Sequence, residues 1–291
     1  MKKIIIILCL FSNLNGIAQE KNKQFSTQAG ITASTTAAYS ISGIDTTLKN
    51  AFTLAPFVRI MSKSGLGVSY SVHTLLSGAE KKLFMHTASA FYEEYDKPVN
   101  LSFSFTHFFF TNNSAIPYTP ITNELYGYVA YKKLWLAPAV ATSIGFGQDE
   151  NSQTLAVFNV AAGVTHNFSF SSKTNSEGNI SPSIFLNGGS NKYYSFLQTA
   201  RYITKNSGKK GFLSTTGRGR GRRNGTGTGG TTTTTTATNQ FTLNNVELNV
   251  YSSFNFGNFE IVPVGSVFIP LVSNSQVSAY WQLKFAYNFG K

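Results

Sequence analysis

The last stretch of the chain, Val277 to Phe289, constrains the fold most. Val277, Ala279, Trp281, Leu283, Phe285, Tyr287 and Phe289 are apolar or aromatic at every second position. Ser278, Tyr280, Gln282, Lys284, Ala286 and Asn288 lie between them. Period two means a β-strand with one greasy and one wet face. The run is 13 residues long. Soluble strands are usually about 5 or 6 residues, whereas a strand crossing a bilayer needs about 9 to 11. The chain therefore predicts strands that cross a membrane.

Earlier segments repeat the pattern. Read with a period-two template, the chain gives about twelve strands, within a range of 10 to 14. They cover Gln28–Ser42, Ala51–Ser62, Leu66–Leu76, Leu83–Tyr95, Val99–Thr111, Thr122–Tyr131, Leu134–Phe146 and Gln153–Phe170. A ninth begins near Ile180, and Gln240–Phe256, Phe259–Leu271 and the closing strand follow. The fourth alternates poorly. In the fifth, Val99, Leu101, Phe103, Phe105 and Phe109 oppose Asn100, Ser102, Ser104 and Thr106.

An even strand count returns both termini to one side, the periplasmic one. The turns on that side should be short. They are Lys63–Gly65, Asp96–Pro98, Lys132-Lys133, Ser171–Asn179 and the two-residue Gly257-Asn258 hairpin, and four of the five are short. The predicted fold is all-β: a transmembrane, antiparallel, up-and-down barrel. Pro56, Pro138, Pro182, Pro263 and Pro270 count against it, because each removes a ladder donor inside a proposed strand. A secreted β-sandwich or jelly roll is the alternative.

Residues 1–18 read as an export signal: Lys2 and Lys3, the apolar run Ile4–Phe11, then Gly16-Ile17-Ala18 at a cleavage site. Residues 19–27 would be a short periplasmic segment and residues 28–291 the barrel. Cys9, the one cysteine, leaves with the signal, which removes disulfides and Cys-based metal sites. Charged residues are 12% of the chain, well under the roughly 25% of soluble domains.

The net charge is +12, and most of it is local. Nine positives and no acids lie between Glu177 and Glu247. This region contains a long extracellular loop, residues 190–239. From Ser207 on it is low in complexity, with Arg-Gly repeats and six consecutive threonines, and it is predicted to be disordered. Lys209, Lys210, Arg218, Arg220, Arg222 and Arg223 are its candidate anion-binding residues. The Arg-Gly repeats resemble the RGG segments of RNA-binding proteins. In an exported chain, lipopolysaccharide, anionic glycans or extracellular DNA are the anions to weigh, and nucleic acid is the least expected partner. A solvated loop insertion explains the segment equally well.

His73, His86, His107 and His166 form no metal spacing, and no G-x-S-x-G motif occurs. No catalytic residue, metal or cofactor is expected, and no enzyme. The clearest inward charges are Arg59, Glu247 and Lys284, on strands that meet near the barrel seam, where an internal ion pair is expected.

The ending Ile17-Ala18-Gln19-Glu20 of the signal, the alternating aromatic strands and the terminal Tyr287-Asn288-Phe289 resemble Bacteroidota-type outer-membrane β-barrels. Asp45-Thr46-Thr47 is similar to the short O-glycosylation motif of that phylum. The resemblance implies residence in the outer membrane among lipid and lipopolysaccharide. Two functions fit it. One is a passive pore or small-solute transporter using the lumen. The other is a surface binding or structural protein, in which the barrel is an anchor and other membrane subunits of a secretion or gliding machine are the partners.

Overall fold

The computed structural model describes residues 24–42, 45–76, 83–95, 97–111, 121–148, 154–171, 176–190, 241–271 and 277–289. Thirteen strands run in chain order: β1 Phe25–Ser42, β2 Asp45–Ser62, β3 Leu66–Leu75, β4 Leu83–Glu94, β5 Val99–Phe110, β6 Ile121–Tyr131, β7 Ala137–Gln148, β8 Thr154–Thr165, β9 Phe168–Ser171, β10 Ser176–Ser190, β11 Phe241–Phe256, β12 Phe259–Pro270 and β13 Ser278–Phe289. Sequential neighbours pair antiparallel, and β1 pairs with β13 from Thr27↔Phe289 to Ser34↔Gln282. The sheet is thereby closed into a ring, and the β1–β2 hairpin extends beyond it. β8 and β9 lie end to end along β10, so the ring has twelve strand positions. The fold is an antiparallel β-barrel.

The short connections, after β2, β4, β6, β9 and β11, share one end of the barrel with both ends of the described chain. The connections after β3, β5, β7, β10 and β12 lie at the other, long-loop end. There β1 and β2 form a hairpin paired to Ser42↔Asp45, although β13 accompanies β1 only to Ser34. The expected second strand therefore begins earlier, at Asp45 rather than Ala51, and the first at Phe25 rather than Gln28. The seventh begins at Ala137 rather than Leu134. The expected Ser171–Asn179 turn gives way to β10 from Ser176.

The prolines are accommodated by one device: each interrupts the ladder on one side only. Pro56 pairs with Ile31 of β1, while the β2–β3 ladder stops at Leu54↔Thr74 and resumes at Phe57↔Ser71. Pro263 pairs with Leu283 of β13, while the β11–β12 ladder skips from Tyr251↔Val264 to Phe254↔Ile261. Pro138 is the second residue of β7, beyond the last β6–β7 pair, Ala130↔Ala139. Pro270 ends β12. Pro182 explains why the expected eighth strand is split. It pairs with Val250 of β11 but offers no N–H toward β8, and the break between β8 and β9 falls opposite it.

The two faces are sorted as a membrane barrel requires. β7 alternates buried and exposed along almost its whole length. Phe52, Phe103, Phe105, Phe109, Trp281 and Phe285 are exposed on the outer face. Polar groups on that face pair with each other. Tyr70 Oη lies 2.7 Å from His86 Nδ1, and His107 Nδ1 donates to Asn123 Oδ1 at 2.7 Å. Such pairing is what a solvent without hydrogen bonds demands. Phe105 lies mid-strand and Phe25 at the rim of the short-turn end. Phe105→Arg is expected to cost about 2–4 kcal/mol in lipid and Phe25→Arg about 0–1 kcal/mol. Reversible guanidinium titration in lipid vesicles measures both; equal costs would contradict a bilayer around this face.

Candidate functional site

The interior is layered along the barrel axis. At the long-loop end Leu75, Phe84, Met85, Phe108, Ile121, Val157, Phe268 and Tyr280 form one buried apolar cluster. They come from β3, β4, β5, β6, β8, β12 and β13, so the cluster reaches across the lumen rather than lining one wall. On β5 the inward residues are small or polar, Ser102, Ser104 and Thr106, until Phe108 and the stacked Phe110 join the layer.

Toward the short-turn end one wall carries charge. Arg59 of β2 and Glu93 of β4 pair at 2.6 Å, reaching past β3. β3 permits this because Gly67 faces inward there: a Cβ at Gly67 would stand 2.3 Å from the Phe91 ring. Phe91 in turn lies under the Arg59 guanidinium, 4.0 Å from ring centroid to carbon, a cation–π contact. Lys284 of β13 pairs with Glu260 of β12 at 3.2 Å, both almost fully buried. Gln28 Nε2 donates to the same Glu260 oxygen at 2.7 Å and lies 2.9 Å from Asn288 Oδ1. Arg59, Glu93, Glu260 and Lys284 also act on one another electrostatically, so the two pairs form one cluster.

Farther up, Glu247 lies buried beside Asn187, whose amide is 3.5 Å away. Glu124 is buried and accepts a short hydrogen bond from Ser143 Oγ. The buried interior thus holds Glu93, Glu124, Glu247 and Glu260 against Arg59 and Lys284.

The opposite wall opens at the short-turn end into a vestibule of about 380 Å³. Tyr128, Tyr251 and Trp135 supply aromatic surface, and Asn100, Asn167, Asn179 and Ser181 supply polar groups. Deeper in, toward the long-loop end, the wall is apolar, with Ala139, Ala141, Ala161, Phe185, Val262 and Val264 packed together. At the rim, outside the strands, Lys97 is bound by Glu94 at 3.1 Å, and that hydrogen bond raises the Lys97 pKa.

All three inward charges expected from the sequence face the lumen, and Arg59 and Lys284 are ion-paired. Their partners are Glu93 and Glu260, and Glu247 sits apart with Asn187. The sequence reading missed Glu93, Glu124 and Glu260. β4 hides Glu93 because a bulge between His73 and Thr74 shifts its register and buries both Phe84 and Met85. β12 hides Glu260 because its inward residues Val262, Val264 and Phe268 are as apolar as its outward ones. Counting alternate positions from the Gly257-Asn258 turn recovers it. Glu124 is recoverable from its alternation with Leu125 and Val129. His107 is on the outer face, and His166 falls in the β8–β9 break and bonds the Trp135 carbonyl. His73 faces inward, beside Ser71 Oγ at 2.7 Å. Among the described residues no three His, Cys, Asp or Glu side chains are grouped to hold a metal ion. Lys209, Lys210, Arg218, Arg220, Arg222 and Arg223, the 190–239 loop beyond Ser190 and the 1–18 signal lie outside the described residues.

The closed ring, the apolar outer face and the polar, charge-bearing interior define a transmembrane antiparallel β-barrel. No family model and no curated protein sequence matches the chain. Among solved structures it is similar to the NanC porin in a rhombohedral crystal form, at TM-score 0.39 and 9% identity, over 92% of this chain and 99% of that one.

Proposed function

We propose that the protein is an outer-membrane channel for small solutes, gated at the apolar layer across its lumen. The observation that carries this reading is the asymmetry of the interior: a wet vestibule and a charged wall at the short-turn end, and an apolar seal at the other. Hydrophobic constrictions gate by excluding water. Among the described residues, four buried carboxylates against two buried cations favour cations over anions in the open state. The short-turn end is then periplasmic, and the outer membrane, of Bacteroidota type, is reached through cleavage after Ala18. No catalytic step is part of this function.

A second reading is supported by the same seal and by the paired charges: a barrel that only anchors. The contact surface would then be the basic loop, facing lipopolysaccharide, anionic glycans or other membrane subunits.

Planar-bilayer recording separates the two. The channel reading expects discrete, cation-preferring openings under applied voltage, rare because the resting lumen is sealed. If the whole protein and a variant lacking Ser207–Asn239 are both silent, the channel reading fails. The anchor reading then expects that deletion to weaken retention on anionic surfaces in a salt-dependent way.

A further inference from the structure

We propose that the vestibule at the short-turn end is a binding site for a neutral, hydroxyl-rich solute of mono- or disaccharide size. Its role as the channel's solute site rests on the channel reading; binding itself does not. The volume, about 380 Å³, falls within the roughly 300–1,000 Å³ of small-ligand sites.

The chemistry of the lining selects the class. Ser181 Oγ lies 2.7 Å from both Asn167 Oδ1 and Asn179 Oδ1. A hydroxyl has one proton, so it serves one amide oxygen and leaves the other for a donor from elsewhere. Asn100 Oδ1 is buried with no hydrogen-bond partner. The cavity is therefore lined by amide oxygens together with amide N–H and tyrosine O–H groups, and the complement of such mixed acceptors and donors is a molecule rich in hydroxyls, which do both. Tyr128, Tyr251 and Trp135 supply flat apolar faces suited to the C–H faces of a sugar ring.

Charge argues for a neutral ligand. None of the residues lining the cavity is acidic, which disfavours a cation. Lys132 is the lining cation, and its ammonium donates to the Tyr95 carbonyl. The charged cluster, Arg59, Glu93, Glu260 and Lys284, is carried by β2, β4, β12 and β13, whereas the vestibule is built by Tyr95, just after β4, and by residues from β5 to β11 and the connections between them.

The test is calorimetric titration of the folded, detergent-solubilised full chain with maltose, glucose, gluconate and glucosamine. Saturable binding of maltose or glucose, in preference to the two charged analogues, is expected. Asn100→Ala combined with Asn179→Ala should weaken it at least tenfold, since one lost hydrogen bond is worth about that factor. Trp135→Ala, at a turn residue 74% exposed, should also weaken binding without endangering the fold. Heat-modifiable gel mobility checks folding of each variant. No saturable heat with either neutral sugar, unchanged affinity in folded variants, or equal binding of the charged analogues would overturn the site. Binding by a barrel that never conducts would retire the channel reading and leave the site standing. Conduction without binding would retire the site alone.

Discussion

Lys284→Met is expected to destabilise the barrel by about 3–5 kcal/mol, the usual cost of leaving one member of a buried pair without the other. Lys284 is fully buried, and its ammonium is 3.2 Å from Glu260. Glu260 also accepts from Gln28, but a neutral amide does not replace a cation in a dry interior. Exchanging both partners, Lys284→Met with Glu260→Gln, removes the stranded charge and should return stability to within about 1 kcal/mol of the parent. Urea unfolding of the refolded barrel in detergent reads both values. A double variant as unstable as the single one would show that Lys284 matters for its packing and not for its charge.

The second large effect concerns the seal. Phe268 is fully buried in the apolar layer, packed with Phe84, Phe108 and Tyr280. Phe268→Ala should cost about 3–5 kcal/mol and leave a cavity within the apolar layer. Polar side chains lie just beneath, so the cavity can wet, and single-channel recordings should show a several-fold rise in open probability. Phe185→Ala is the matched control. Phe185 is equally buried but belongs to the wall cluster at the other end. It should lose comparable stability with no gain in conduction. Equal conduction from the two variants would mean that general loosening, and not the layer, opens the path.

Much of this was legible in the chain because period two is a local property. The closing strand, the fifth strand and the Gly257-Asn258 hairpin are found where alternation and turn chemistry place them. Arg59 and Lys284 were recognisable as lumen residues for the same reason. Their partners were not, because partnership across a barrel depends on register and stagger. Arg59 meets Glu93 across β3, over the Phe91 ring that fills the space above Gly67. The apolar layer was equally hidden. Its residues come from seven strands, from Leu75 to Tyr280, and each aromatic reads locally as an interruption of the pattern. The prolines looked like objections to the fold. A strand in a closed ring has two ladders, and losing a donor on one side leaves the other intact.

The most direct measurement is quenching of Trp281 by lipids brominated along their acyl chains. The chain has two tryptophans, so Trp135→Phe leaves Trp281 as the only one. Trp281 lies on the outer face of β13, 40% exposed, and packs at a tilt against Phe52, 5.7 Å between ring centroids. In vesicles, strong quenching by bromines deep in the chains is predicted, with little quenching by the aqueous quencher acrylamide. The reverse, acrylamide quenching and indifference to bromine, would mean that this face meets water. Barrel insertion, the seal and the channel would then all be withdrawn.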